Sequence, residues 1–161
     1  MRFFTAEWAT GALDDHAFET AAERYAHYVE ELQPPADVRL LAATDLHDGL
    51  VESVREEAAS QLAVRLTTGD LQRGYRTTTI VYFEAIVSAA AIAFLEGTAR
   101  TGGVEILQHE IDRDDGTWLH RILFANFEEV AIAFTGVAVA ETPRTARHEG
   151  GSRRCNPGGS P

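Results

Sequence analysis

Lysine is absent from this chain, and that one omission removes several chemistries. Without it there is no lysine Schiff base for pyridoxal phosphate, no phosphate-binding lysine of a P-loop and no ATP-binding lysine of a typical protein kinase. All 14 basic residues are arginine, a usage that with the abundant alanine and glycine points to a GC-rich genome. Cysteine occurs once, as Cys155, so one chain can build neither a disulfide framework nor a multi-cysteine zinc site, and a cytoplasmic location is expected. Serine is scarce: Ser53, Ser60, Ser88, Ser152 and Ser160 are all there are, and none sits in a Gly-x-Ser-x-Gly elbow. No Gly-x-Gly-x-x-Gly follows a predicted strand, so nucleotide binding has no positive signal. Long apolar runs are missing too. The opening residues hold no apolar core of a secretory signal. The longest candidate, Ile80 to Leu95, is broken by Glu84 and falls short of the roughly 20 residues that span a bilayer. No membrane span is expected, and no cofactor is implied.

Positive charge is also in short supply. The formal net charge is -11, and residues 143–161 carry four arginines against Glu149 alone, a net of +3, which leaves -14 on residues 1–142. A nucleic-acid backbone, bound through released counterions, would be repelled by such a body. With 161 residues, 45% of them hydrophobic, the chain can close one core. Residues 1–142 are read as a single α+β domain. Residues 143–161, rich in Gly, Pro and Arg, are read as a disordered tail that cannot bury enough apolar area to offset the entropy of ordering.

Within the domain, Phe18, Ala22, Tyr25, Val29 and Leu32 recur at spacings of four and three, which predicts a helix over 15–33 that begins at Asp14 or Asp15 and stops at Pro34-Pro35. Thereafter the period shortens toward two. Alternation predicts strands at Val38–Ala43, Leu50–Glu56, Leu62–Leu66, Thr77–Val87, Val104–Ile111, Trp118–Phe124 and Val130–Phe134. Turn signals at Gly69-Asp70, Gly102-Gly103, Asp114-Asp115-Gly116 and Asn126 separate several of them. Ser88 to Leu95 reads equally as helix or strand. The pattern predicts an N-terminal helical segment packed on a mostly antiparallel, meandering sheet or partly open barrel, with Phe3, Phe4, Trp8 and Leu13 anchoring the N-terminal segment on the sheet and Trp118 in the core.

Two constellations carry chemistry. In Asp45-Leu46-His47-Asp48-Gly49 a histidine flanked by carboxylates is suited to general-base or metal-binding work, although an Asp- and Gly-rich turn arises for backbone reasons alone. In the second, His109 and Ile111 face one side of a strand while Glu110 and Asp112 face the other, and His120 lies across the hairpin. That hairpin can present a His pair or a carboxylate pair on one face, and a two-His, one-carboxylate metal site is conceivable there. Glu129 opens a later strand, where it can join either cluster or stand as a solvated edge.

The opening Arg2 to Trp8, the central Leu46-His47-Asp48-Gly49, and Glu105 to Ile111 with Leu123-Phe124 and Glu129 resemble an uncharacterised bacterial family described only as a domain of unknown function. Its members carry a longer helical insert between the opening and the Leu-His-Asp segment, where this chain has only the helix up to Leu32. The resemblance implies no catalytic assignment. The Leu-His-Asp motif is also similar to small β-rich bacterial proteins found among toxin-immunity candidates. Charge alone argues for the leading expectation, a non-enzymatic, intracellular protein-binding module whose acidic surface meets a basic protein partner. The alternative is a metal-dependent, hydrolase-type enzyme using His47 and Asp48, or His109, Glu110 and His120. A homodimer formed through an exposed sheet edge is a third expectation.

Overall fold

A computed structural model describes residues 1–11, 15–57, 60–72 and 74–144 of the chain. Leu13, the Asp14 cap and the tail beyond Arg144 lie outside the described residues.

The N-terminal segment opens with a single helical turn, α1 (Ala6–Ala9), whose first free N–H groups are met by the Thr5 side chain accepting from Trp8. Helix α2 (Asp15–Leu32) follows, as the 3.6-residue period predicts. Tyr25, Val29 and Leu32 of the expected stripe are half-buried, but Ala21 rather than Ala22 is buried, and Tyr28 joins the inward side, stacking its ring on Phe3 and sending its hydroxyl to Asp112.

Residues 38–43, expected as a strand, form helix α3 (Ala36–Ala43) instead. The alternating reading took Val38, Leu40 and Ala42 as one face, yet Leu40 is exposed while Val38 and Leu41, three apart, are fully buried. Pro35 ahead of the first turn, Asp37 within it and the good helix formers Leu and Ala outweigh the single β-branched valine. The ambiguous stretch after Ser88 also resolves as helix, α4 (Ala89–Thr101). The Ser88 hydroxyl accepts from the Ala91 N–H, and Gly102 closes the helix at positive φ.

Among the described residues, eight strands make two four-stranded antiparallel sheets. The first is ordered β1-β2-β3-β8 and comprises β1 (Leu50–Glu57), β2 (Gln61–Asp70), β3 (Gly74–Phe83) and β8 (Gly136–Pro143). The second is ordered β4-β7-β6-β5 and comprises β4 (Ile86–Val87), β5 (Ile106–Asp114), β6 (Thr117–Phe124) and β7 (Glu129–Phe134). Strand β8 was not expected; the signal was Val137 and Val139 alternating with alanine behind Gly136. It begins one residue after β7 ends, just as β4 begins shortly after β3. Because β3 pairs with β8 and β4 with β7, one bent antiparallel ribbon runs through both sheets, its bend at Glu84-Ala85 and Thr135. The predicted strand Thr77–Val87 is thus two strands with a corner between them.

The core lies between the sheets, filled by Leu62, Val64, Leu66, Ile80 and Tyr82 from one and by Ile111, Ile122, Phe124, Ile132 and Phe134 from the other. Trp118 is buried as expected. Helix α4 packs on β1 and sets Phe94 edge-on against Phe124, while α3 bridges β8 and β5. A second, smaller apolar cluster of Phe4, Trp8 and Ala21, with Phe3 and Tyr25 beside it, fixes the N-terminal segment to α2, where these aromatics were expected to anchor it on the sheet. Among the described residues no helix is long and apolar enough to cross a membrane.

Candidate functional site

The β5–β6 hairpin sets the geometry of the second constellation. Asp115 and Gly116 both have positive φ and form the two-residue loop between Asp114 and Thr117, the Asp-Gly chemistry of a type I′ turn. That loop fixes a register in which Ile111 faces His120 and His109 faces Ile122. Both histidines therefore point into the core, on one face, as diagonal neighbours.

There they form a continuous hydrogen-bonded chain. The Tyr82 hydroxyl, reaching across from the first sheet, is 2.7 Å from His120 Nδ1. His120 Nε2 lies 3.0 Å from His109 Nδ1, and His109 Nε2 lies 2.9 Å from the Thr44 carbonyl at the end of α3. A carbonyl only accepts, so His109 Nε2 carries its proton and, in the neutral ring, Nδ1 accepts. His120 then donates through Nε2 and accepts at Nδ1 from the Tyr82 hydroxyl. One assignment of protons satisfies every polar atom with both rings neutral. Burial favours that state: it lowers His109 to about 4, against an opposing pull from the Thr44 carbonyl and Asp45. Burial and then the neighbouring His109 hold His120 well below the usual range. Burial also raises the Tyr82 phenol. No ring nitrogen is left with an uncommitted lone pair, and the rings are shut off from solvent, so this pair acts as an internal polar brace between the two sheets and α3.

Glu110 is not part of that pair. It lies on the opposite face of β5, also buried, where its two oxygens accept from the Arg2 and Phe3 backbone N–H groups. Close by, Asp112 accepts from Tyr28, the Ile111 N–H donates to the Tyr25 hydroxyl at 2.7 Å, and Glu129 bonds the Met1 amine and Arg121. Burial disfavours the Glu129 carboxylate, but the amine and Arg121 outweigh it and hold its pKa below the usual range. The carboxylate face is a clamp on the N-terminal segment. The conceivable site of two histidines and a carboxylate is therefore split across the sheet, and among the described residues no group of three or more His, Cys, Asp or Glu is placed to hold a metal ion.

His47 and Asp48 stand apart from both groups, on the exposed loop between α3 and β1. His47 donates through Nδ1 to the Leu107 carbonyl at 2.7 Å, capping the outer edge of β5, and its Nε2 is 3.3 Å from Asp48. Asp48 adopts positive φ and its N–H donates to the Ile106 carbonyl. Farther along the same edge, the Ile111 N–H meets Tyr25 and the Arg113 N–H meets Asp112. Side chains thus occupy positions that a further strand would fill.

Two depressions lie at the tip of the β2–β3 hairpin and the adjoining loops, a region that sequence reasoning passed over. A depression of about 570 Å³ is lined by Asp48, Asp70, Leu71, Tyr75 and Glu105. A second, of about 270 Å³, is lined by Leu40, Thr44, Asp45, Arg76 and Glu141. They meet at Gly69. The available clue was Leu71, an apolar residue directly behind the Gly69-Asp70 turn signal. No family model, curated protein or solved structure matches this chain.

Proposed function

We propose that the chain is a non-enzymatic, intracellular binding module that presents an acidic surface to a basic protein partner, in the manner of an immunity protein. The observation that carries this reading is the separation of roles among its polar groups. The buried ones brace and clamp the fold, as the His109–His120 chain and Glu110 do, while the chain carries a large formal excess of negative charge, -11 in all and -14 over residues 1–142, most of it on exposed side chains. Such a field steers a cationic partner and speeds its encounter, and it weakens with salt as counterions screen it over a Debye length of about 8 Å at physiological ionic strength. The competing reading, a metal-dependent hydrolase using His47 and Asp48, or His109, Glu110 and His120, needs its side chains to converge on one substrate; Glu110 is on the other side of the strand from the two histidines, and His47 and Asp48 are on an exposed loop apart from them.

The test is capture on immobilised full-length protein at low salt, followed by elution along a salt gradient. Proteins of high isoelectric point that bind stoichiometrically and leave as salt rises support the reading. Capture that ignores both salt and the charge of the bound protein would overturn it.

A further inference from the structure

A β-bulge adds one residue to a strand and re-aims its side chains. In β1 the bulge falls at Glu52: Val51 pairs with Leu66 and Ser53 with Arg65, so Glu52 faces no residue across the ladder. The register then sets Ser53, Arg65 and Thr79 in one row across β1, β2 and β3, with Arg55 and Ala63 as the next pair along. Their neighbours in sequence, Val54, Val64, Leu66 and Ile80, pack in the core, so this row stands on the outer face of the first sheet. Together with Glu57, these residues line a depression of about 180 Å³ there.

The depression is rich in donors that are not spent inside the protein. Glu52 accepts from Arg65 Nε at 2.9 Å, which holds the guanidinium in place and leaves its two terminal nitrogens unbonded among the described residues. The same carboxylate also takes Arg144, so two arginines share one negative charge. The Thr67 hydroxyl, then Arg144 and Arg65, hold that carboxyl below the usual range against its burial, so it stays ionised. Arg55 has no ion pair, and the Ser53 and Thr79 hydroxyls no hydrogen bond, among the described residues. Three arginines, Arg55, Arg65 and Arg144, stand here against Glu52 and Glu57, a local excess of +1 on a body that carries -14.

Size and hydrogen bonding identify the occupant. The depression is smaller than the roughly 300 Å³ at which sites for drug-sized ligands begin, and the acidic body repels a polyanion, which leaves a small oxyanion. The free edge of a guanidinium matches an oxyanion in forked geometry, and a hydroxyl donates to it singly. Glu57 narrows the choice, because a carboxylate only accepts and repels an oxyanion that has no proton to give. Hydrogen phosphate keeps one at neutral pH, whereas sulfate has none and a phosphate monoester, with its second pKa at about 6, has mostly lost it. We propose that the depression bounded by Ser53, Arg55, Arg65 and Thr79 binds free hydrogen phosphate, with the hydroxyl of the ion directed at Glu57. This site stands independently of the proposed basic partner.

Amide-resolved NMR of the full chain at pH 7.5, titrated separately with sodium phosphate, sodium sulfate and glycerol phosphate while sodium chloride holds the ionic strength constant, tests it. Expected are saturable shifts at residues 53–57, 63–65 and 79 with phosphate, and binding at least about tenfold weaker for the other two anions. Affinity for phosphate should fall by at least about tenfold in Arg55→Gln, a change at an exposed position. In Glu57→Gln, whose amide can donate, phosphate and sulfate should come within about threefold of each other. Shifts that rise linearly and equal those produced by sodium chloride would overturn the site, as would an affinity unchanged in Arg55→Gln. Sulfate or glycerol phosphate bound as tightly as phosphate by the parent chain would overturn the identity of the ion.

Discussion

His109 and His120 stand edge to face in the core, their planes 80° apart and Nδ1 of the first 3.0 Å from Nε2 of the second. Neither ring reaches water. The proton on the bridge is supplied by His120, since His109 spends its own on Thr44, so the direction of the whole chain from Tyr82 to α3 is fixed by a single backbone carbonyl. A neutral imidazole has one donor and one acceptor, and here each of the four has a partner. Two strands of one sheet, one strand of the other and the end of a helix are thereby held in register by groups that tolerate little misplacement.

Tyr82→Phe removes the donor to His120 Nδ1 while keeping the ring that packs at 5.5 Å against Phe134. The orphaned nitrogen is in a fully buried site with no route to water, so the expected loss is about 1–3 kcal/mol, the cost of an unmet buried acceptor rather than of lost packing. Urea unfolding at neutral pH measures it. A variant within about 0.5 kcal/mol of the parent would mean that the chain contributes nothing to stability.

Acid should act on the same two rings. An imidazole whose pKa is depressed in the fold takes up a proton on unfolding at any pH between its folded and unfolded values, so stability falls as pH falls through that window. For His109 the window runs from 6.5 down to about 4, and for His120 it begins at the same upper limit and ends well below it. Stability should be level above the window and then decline, with a slope near 1.4 kcal/mol per pH unit for one proton and near 2.7 for two. Urea midpoints between about pH 7.5 and 5.5, above the range where carboxylates dominate, give the slope. A flat profile there would show that the histidines are charged or hydrated in the fold.

The strands and the first long helix were legible because their periods are local: alternation survives in β2, β6 and β7 whatever they pack against, and the turn at Asp115-Gly116 announces its own backbone. Helix α3 was not, because Val38, Leu40 and Ala42 alternate as neatly as a strand while burial chooses Val38 and Leu41. For the candidate residues, the hairpin register correctly put His109 and His120 on one face and Glu110 on the other. What no local pattern could supply was the partner of each group. Tyr82 comes from the opposite sheet, Thr44 from the end of a helix expected to be a strand, and the backbone N–H groups held by Glu110 from more than a hundred residues away.

Glu110 offers the cleanest separation of local from global stability. Its two oxygens accept from the Arg2 and Phe3 N–H groups, and the apolar cluster that those residues lead into, around Phe4 and Trp8, is distinct from the main core. In Glu110→Ala both N–H groups lose their acceptor, yet the segment they belong to can turn toward water, so the cost is felt first as local opening rather than as global unfolding. Trp8 and Trp118 are the only tryptophans, and both are buried. With Trp118→Phe as the common background, Trp8 emission should shift to the red in Glu110→Ala, amide exchange at Phe3 should accelerate at least about tenfold, and exchange in β3 and β6 should stay as slow as before. If instead β3 and β6 lose protection together with Phe3, the N-terminal segment belongs to the same cooperative unit as the sandwich, and Glu110 supports the whole fold rather than a segment laid upon it.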